Sequence, residues 1–193
     1  MRERKATRLK NFDYSQEGYY FVTICTRDRE EWFGKVGNGK MIPSANGEVA
    51  ESCWKGIPRH FKDAKIDEFR VMPNHVHGIV IIANDPVGNA IVGNAIVGNA
   101  YMRSLRDRTK MLLSRVIQQY KASVTRQINS LQEGSCFKWQ KSFYDHIIRN
   151  DKSLENLRQY IQNNPLKWEL DRENPFSKNF NLEHDRYWKG IYD

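Results

Sequence analysis

Long apolar runs are missing from this chain. No stretch approaches the roughly 18 consecutive apolar residues that a membrane-spanning helix needs, and the start, MRERKATRLKNFDYSQ, is charged with no apolar segment. The expectation is therefore a soluble, cytoplasmic protein that is not secreted. Cysteine is scarce as well: Cys25, Cys53 and Cys136 are scattered with no C-x-x-C pair, which excludes a disulfide framework and a zinc finger and reads as ordinary reduced thiols. Acidic residues are in deficit, with 23 Asp and Glu against 31 Lys and Arg, a net charge of +8. The excess is concentrated in Arg2, Arg4, Lys5, Arg8 and Lys10, and again in Arg103, Arg106, Arg108, Lys110, Arg115, Lys121 and Arg126. Such clustering is either a solvated basic surface or the footprint of a polyanion, since each neutralised phosphate releases counterions.

What is there reads as strands alternating with helices. The aromatic and β-branched run Tyr19 to Thr26 predicts a first strand, and the Gly-rich FGKVGNGKMI a hairpin or loop. Val49, Cys53, Trp54, Ile57 and Phe61 recur at helical spacing, with Pro58 kinking or ending that helix. KIDEFRVMP and HVHGIVII predict two strands joined by a tight turn at Pro73 and Asn74. From Ser104 to Ile128, Leu105, Thr109, Leu112, Val116, Tyr120 and Val124 share one face of a long amphipathic helix. Phe143 to Arg149 predicts a last strand, and KSLENLRQYIQNNP a last helix, capped by Ser153 and ended by Pro165. This order is the βαββαβ pattern of an α+β, ferredoxin-like antiparallel sandwich with an added C-terminal helix.

The 193 residues suit one domain, with a core at about 19–168, a basic arm at 1–18, an inserted loop at 84–101 and a tail at 169–193. The insert repeats V-G-N-A-I almost three times from Val87. A period of five fits no solenoid and predicts a surface loop that tolerates changes in length.

MPNHVHGIVII sets His75 and His77 at the front of a run otherwise fit for a buried strand. Successive strand side chains point to opposite faces, so the two imidazoles share one face while Val76 and Gly78 take the other. Two imidazoles at that spacing can share a metal ion. An isolated H-x-H is a weak signal, and polar residues at a strand end is its plainer reading.

Three blocks in order change that weighting: VMPNHVHGIVII, YKASVTRQIN and WQKSFYDHIIRNDKSLENLRQYIQNNPLKW. Together they resemble the REP-associated tyrosine transposases, within the superfamily of HUH (His, bulky hydrophobe, His) single-strand nucleases and transposases that use one catalytic tyrosine. The resemblance runs from about Tyr19 to Trp168. It implies that His75 and His77 bind a divalent metal, that Tyr160 is the nucleophile, and that Asn164, one helical turn on, completes the metal shell. Asn164 also suits a helix end, because a residue before proline is pushed out of helical geometry. The implied ion is Mg²⁺ with Mn²⁺ able to substitute, although imidazole by itself favours Mn²⁺ or softer ions.

The resemblance further implies metal-dependent cleavage and rejoining of hairpin-forming single-stranded DNA, such as repetitive extragenic palindromes. The route is a 5′-phosphotyrosine and a free 3′-OH. The implied partner is single-stranded or hairpin DNA at the nucleoid, with the protein a monomer or homodimer and no membrane involved. On this reading the basic N-terminus and Arg103, Arg106, Arg108, Lys110, Arg115, Lys121 and Arg126 grip phosphates. Trp139 and Gln140 match a family feature, with Trp139 either stacking on an extruded base or filling the core. His146 and Arg149 line a DNA groove, or His146 is a satisfied strand histidine. Tyr120 and Tyr144 are expected to pack with their hydroxyls hydrogen-bonded.

Two rivals stand beside this. A non-catalytic nucleic-acid-binding module would need exposed aromatics on the central strands, where this sequence places His75, His77, Ile79 and Ile81. A metal-dependent hydrolase would need further carboxylate or histidine ligands, and Asp63, Asp67 and Glu68 show no spacing that demands one.

Overall fold

The computed structural model describes residues 14, 16–83, 111–131, 134, 136–171 and 173–177. Strand β1 (Gly18–Cys25) is the aromatic, β-branched run, and it is followed by a small hairpin of β2 (Gly34–Gly37) and β3 (Lys40–Pro43). Helices α1 (Ala45–Lys55) and α2 (Ile57–His60) lead to β4 (Ala64–Met72) and β5 (His75–Ile82). Helix α3 (Leu112–Leu131), β6 (Tyr144–Ile148) and α4 (Asp151–Asn163) complete the order, and a 3₁₀ segment, Asn164–Leu170, closes it. The main sheet runs β4-β5-β1-β6, every pairing antiparallel. This is the ferredoxin-like βαββαβ arrangement, and it puts β5 and β1 at the centre of the sheet.

Strand alternation divides the core between the two faces. Tyr20, Val22 and Ile24 of β1 and Val76 and Val80 of β5 pack with Trp54 of α1 and Val116, Tyr120 and Val124 of α3. On the other face Phe21, Ile79 and Ile148 meet Leu154, Leu157, Tyr160 and Ile161 of α4. Burying each such aliphatic side chain stabilises by about 1.5–3 kcal/mol, so α4 is held by its own apolar stripe. Gly78 makes room for α1: a Cβ there would come within 2.3 Å of Trp54 Cζ2.

Local details differ from the expected ones for physical reasons. Gly56 ends α1, and Pro58 sits in the first turn of α2, where its missing N–H costs nothing. The buried stripe of α3 is Leu113, Val116, Ile117, Tyr120, Val124 and Ile128, with Leu112 only partly buried. Leu105 and Thr109, like the V-G-N-A-I repeat, lie outside the described residues. The cap of α4 is Asn150, whose side chain accepts from Ser153 N at 2.7 Å, so Ser153 sits one turn inside. Asn164 keeps helical angles (φ −56, ψ −41) in spite of Pro165, because Pro165 opens the first turn of the 3₁₀ segment. Among the described residues no helix is long and apolar enough to cross a membrane.

Candidate active site

Antiparallel pairing sets His75 opposite Cys25 and His77 opposite Thr23, on the sheet face that α4 covers. Both histidines are buried, at 0% and 2% exposure, and their ring centroids are 4.3 Å apart. The turn residue Asn74 decides how His75 is protonated. Asn74 Nδ2 donates to Arg29 O (3.1 Å) and Glu173 O (2.7 Å), which leaves Oδ1 to accept from His75 Nδ1 at 2.8 Å. The proton is then on Nδ1 and the lone pair on Nε2, a buried atom with no partner among the described residues. Thr23 Oγ1 meets His77 Nδ1 at 2.8 Å and orients the second ring in the same way. Burial pushes His75 down to about 3, helped by Arg29, so this ring is neutral over the whole working pH range. His77 is lowered too, by burial first and by His75, with Asp171 opposing.

Helix α4 brings Tyr160 onto these rings. Its hydroxyl lies 3.0 Å from His77 Nε2, and Phe21 stacks on His77 (centroids 5.4 Å) while meeting Tyr160 edge-on (6.0 Å). One turn later Asn164 is buried, with Nδ2 donating to Asp171 Oδ2 at 2.6 Å and Oδ1 left without a partner among the described residues. The sequence reading missed Asp171. A carboxylate oxygen of Asp171 and one nitrogen from each of His75 and His77 all lie within 4.8 Å of one another. Two imidazoles and a carboxylate make a mixed nitrogen and oxygen donor set that suits a divalent ion such as Mn²⁺ or Mg²⁺, and the Asn164 amide adjoins the carboxylate through Nδ2. The orphaned Nε2 and Oδ1 are the acceptors that such an ion would use.

The 3₁₀ segment and the residues after it close over the histidines. Trp168 lies against His75 (centroids 5.9 Å), and its carbonyl accepts from Asn174 Nδ2 at 2.8 Å. Glu173 donates its N–H to Asp171 Oδ1 at 2.7 Å, and its carboxylate takes the Cys25 thiol (3.4 Å) and Arg29 (3.3 Å). Burial, then Glu173, pushes the Cys25 thiol up, so it stays protonated. Asp171, Glu173 and Asn174 are buried against the site.

The remaining expected residues divide by position. Arg115, Lys121 and Arg126 are on α3, across the sheet from His75 and His77. Arg115 and Arg126 are exposed there, whereas Lys121 Nζ donates to Gln140 O at 2.6 Å and is lowered by burial to about 8. A phosphate grip by this helix therefore does not extend to the Tyr160 face, because amphipathic spacing names the buried side of a helix and not the sheet face it packs on. Arg103, Arg106, Arg108, Lys110 and the basic N-terminus lie outside the described residues. Trp139 packs in the core with Phe33, Tyr120 and Phe137, its indole N–H on Lys121 O at 3.1 Å. Gln140 N donates to Cys25 O at 3.0 Å. His146 is paired with Phe21, which puts it on the Tyr160 face. Burial first and then Arg149 lower it to about 4. Arg149 is exposed just beyond β6. Tyr120 packs as expected, its hydroxyl on Ala50 O at 3.2 Å, whereas Tyr144 is 42% exposed because it lies on the edge strand.

Comparisons with known proteins bear on the family. No family model matches the sequence. An uncharacterised Haemophilus influenzae protein is 36% identical over 169 residues, covering 88% of this chain and 92% of that protein. A second Haemophilus influenzae protein, named "Putative REP-associated tyrosine transposase", is 24% identical over 155 residues, covering 80% of this chain and 74% of its own. A solved structure described as a REP-associated tyrosine transposase bound to a REP hairpin shares the fold, with a TM-score of 0.55 at 18% identity over 83% of this chain and 73% of that one. The three ordered blocks and the ferredoxin-like sheet agree with these likenesses: the chain is similar in sequence to a putative REP-associated tyrosine transposase and shares the fold of a solved one.

Proposed function

We propose that this chain cuts and rejoins single strands of hairpin-forming DNA, of the repetitive extragenic palindrome type, with Tyr160 as nucleophile. The observation that carries the proposal is the Tyr160 hydroxyl, held 3.0 Å from His77 Nε2 beside a buried His75, His77 and Asp171 cluster. His75, His77, Asp171 and the Asn164 amide would hold the divalent ion. When bound there, the ion supplies charge stabilisation at a phosphoryl oxygen. Tyr160 Oη forms a bond to phosphorus as the phosphorus–O3′ bond breaks, leaving a 5′-phosphotyrosine and a 3′-OH. The phenol, with an unperturbed pKa of about 10, loses its proton in the same step. The new ester is of the same type as the bond it replaces, so attack by a 3′-OH reseals the strand without ATP. Tyr160 and its histidines belong to one chain, so the composition of the site requires no second copy.

His77 Nε2 has a single lone pair. A metal held on that lone pair would replace the Tyr160 hydrogen bond.

A water-using hydrolase is favoured by one observation, the Asp171 carboxylate, which supplies the ligand such an enzyme needs. Incubating the protein with a 5′-tailed hairpin oligonucleotide and Mg²⁺ or Mn²⁺, followed by a denaturing gel, separates the readings. A covalent adduct lost in Tyr160→Phe supports strand transfer, and cleavage with no adduct supports hydrolysis. A shift seen only under native conditions would leave a binding module.

A further inference from the structure

On β4, Arg70 is the in-register partner of His77, so its side chain leaves the sheet on the Tyr160 face. Its neighbours point the other way, with Phe69 stacked on Trp54 and Val71 in the α1 core. Arg70 Nε is buried and has no hydrogen-bond partner among the described residues. A buried N–H of a cation without an acceptor is costly, and an acceptor from outside the chain would offset that cost. The local acids are already engaged. Asp67 takes Arg158 through Nε (3.1 Å) and Nη2 (2.6 Å), and Glu68 takes Gln162 (3.2 Å). Asp171 takes Asn164 and Glu173 N, and Glu173 takes Arg29 and Cys25.

We propose that Arg70 binds the scissile phosphate, its guanidinium on a non-bridging oxygen from the β4 side while the His75, His77 and Asp171 cluster faces the phosphate from the other. The planar fork matches a phosphate and stays charged throughout, so Arg70 transfers no proton. It neutralises charge that grows on the phosphoryl oxygens as Tyr160 Oη bonds to phosphorus and O3′ departs. The inference rests on Tyr160 being the nucleophile.

The test is single-turnover adduct formation with the 5′-tailed hairpin and Mn²⁺, hairpin affinity by anisotropy, and thermal melting, for wild type, Arg70→Ala and Arg70→Lys. In Arg70→Ala the adduct rate should fall about 100-fold or more at saturating hairpin, as for loss of a transition-state donor, while hairpin affinity changes by less than about threefold. Added guanidinium ion at non-denaturing concentration should restore part of the rate. Arg70→Lys, which keeps charge and stem, should fall between the two. An Arg70→Ala rate within about threefold of wild type overturns the proposal, as does a loss that guanidinium does not relieve in a protein that melts normally. Should Arg70→Ala fail to fold, Arg70→Lys at the full wild-type rate would overturn it, because the fork geometry would then not matter. Failure of the tyrosine reading would show separately, as a wild-type chain without adduct or a Tyr160→Phe chain that still forms one.

Discussion

The site depends on which nitrogen of each histidine carries the proton. Asn74 settles this for His75 by spending both N–H donors on backbone carbonyls, and Thr23 supports His77. Removing such an outer partner usually costs 10- to 100-fold in metal affinity, so Thr23→Val should weaken Mn²⁺ binding by about that factor in calorimetric titration. Asp171→Asn should weaken it by about 10-fold or more, whereas a wild-type affinity would remove Asp171 from the ligand set. Tyr160→Phe should act in the opposite direction. Its hydroxyl competes for His77 Nε2, and a net hydrogen bond of 0.5–1.5 kcal/mol converts to Mn²⁺ binding about 2- to 12-fold tighter without it. His146 carries the pH prediction. Its folded value of about 4 lies below the ordinary 6.5, so between those values the unfolded chain takes up a proton that the folded chain refuses. Stability should therefore fall as pH drops from about 6.5 toward 4, and urea unfolding at several pH values should show less of this fall in His146→Gln.

Two elements place Tyr160, and they were not equally legible in the sequence. The H-x-H strand followed from its β-branched run and from alternation, which put both histidines on one face. Pairing with β1 and β4 makes that strand central, and Gly78 admits Trp54 from behind. Gly78→Ala should cost about 1–3 kcal/mol by overpacking, measured by urea denaturation. Helix α4 followed from its apolar spacing and from the position of Tyr160 and Asn164 one turn apart. Its docking onto β4 did not. A register shift between Ile66 and Phe69 turns Asp67 and Glu68 toward Arg158 and Gln162, and a bulge of this kind leaves no periodic trace. Asp171 was illegible for a related reason. It follows a 3₁₀ segment, outside any repeating pattern, and meets the histidines only through tertiary closure. Asn74 was legible only as a turn residue, because its hydrogen bond to His75 depends on both of its N–H groups being used elsewhere.

At the scale of the whole molecule, one sheet separates two surfaces. The α4 face carries His75, His77, Tyr160 and Asp171, and the opposite face carries α3 with the exposed Arg115 and Arg126. A net charge of +8 still predicts that hairpin affinity falls steeply between 50 and 200 mM salt, with a log–log slope near −0.7 to −0.9 per phosphate contact, and a flat response would contradict phosphate binding. Arg115→Gln with Arg126→Gln should leave the adduct rate at saturating hairpin unchanged, because both lie across the sheet from Tyr160. On the proposed reaction, Tyr160 becomes covalently joined to DNA. The most direct measurement is mass spectrometry of the peptide containing Tyr160 after incubation with a 5′-tailed hairpin and Mn²⁺, followed by nuclease and protease digestion. A nucleotide attached through its 5′ phosphate to Tyr160 is the predicted result. An unmodified Tyr160 peptide beside cleaved DNA, or a nucleotide on Tyr144 instead, would contradict it.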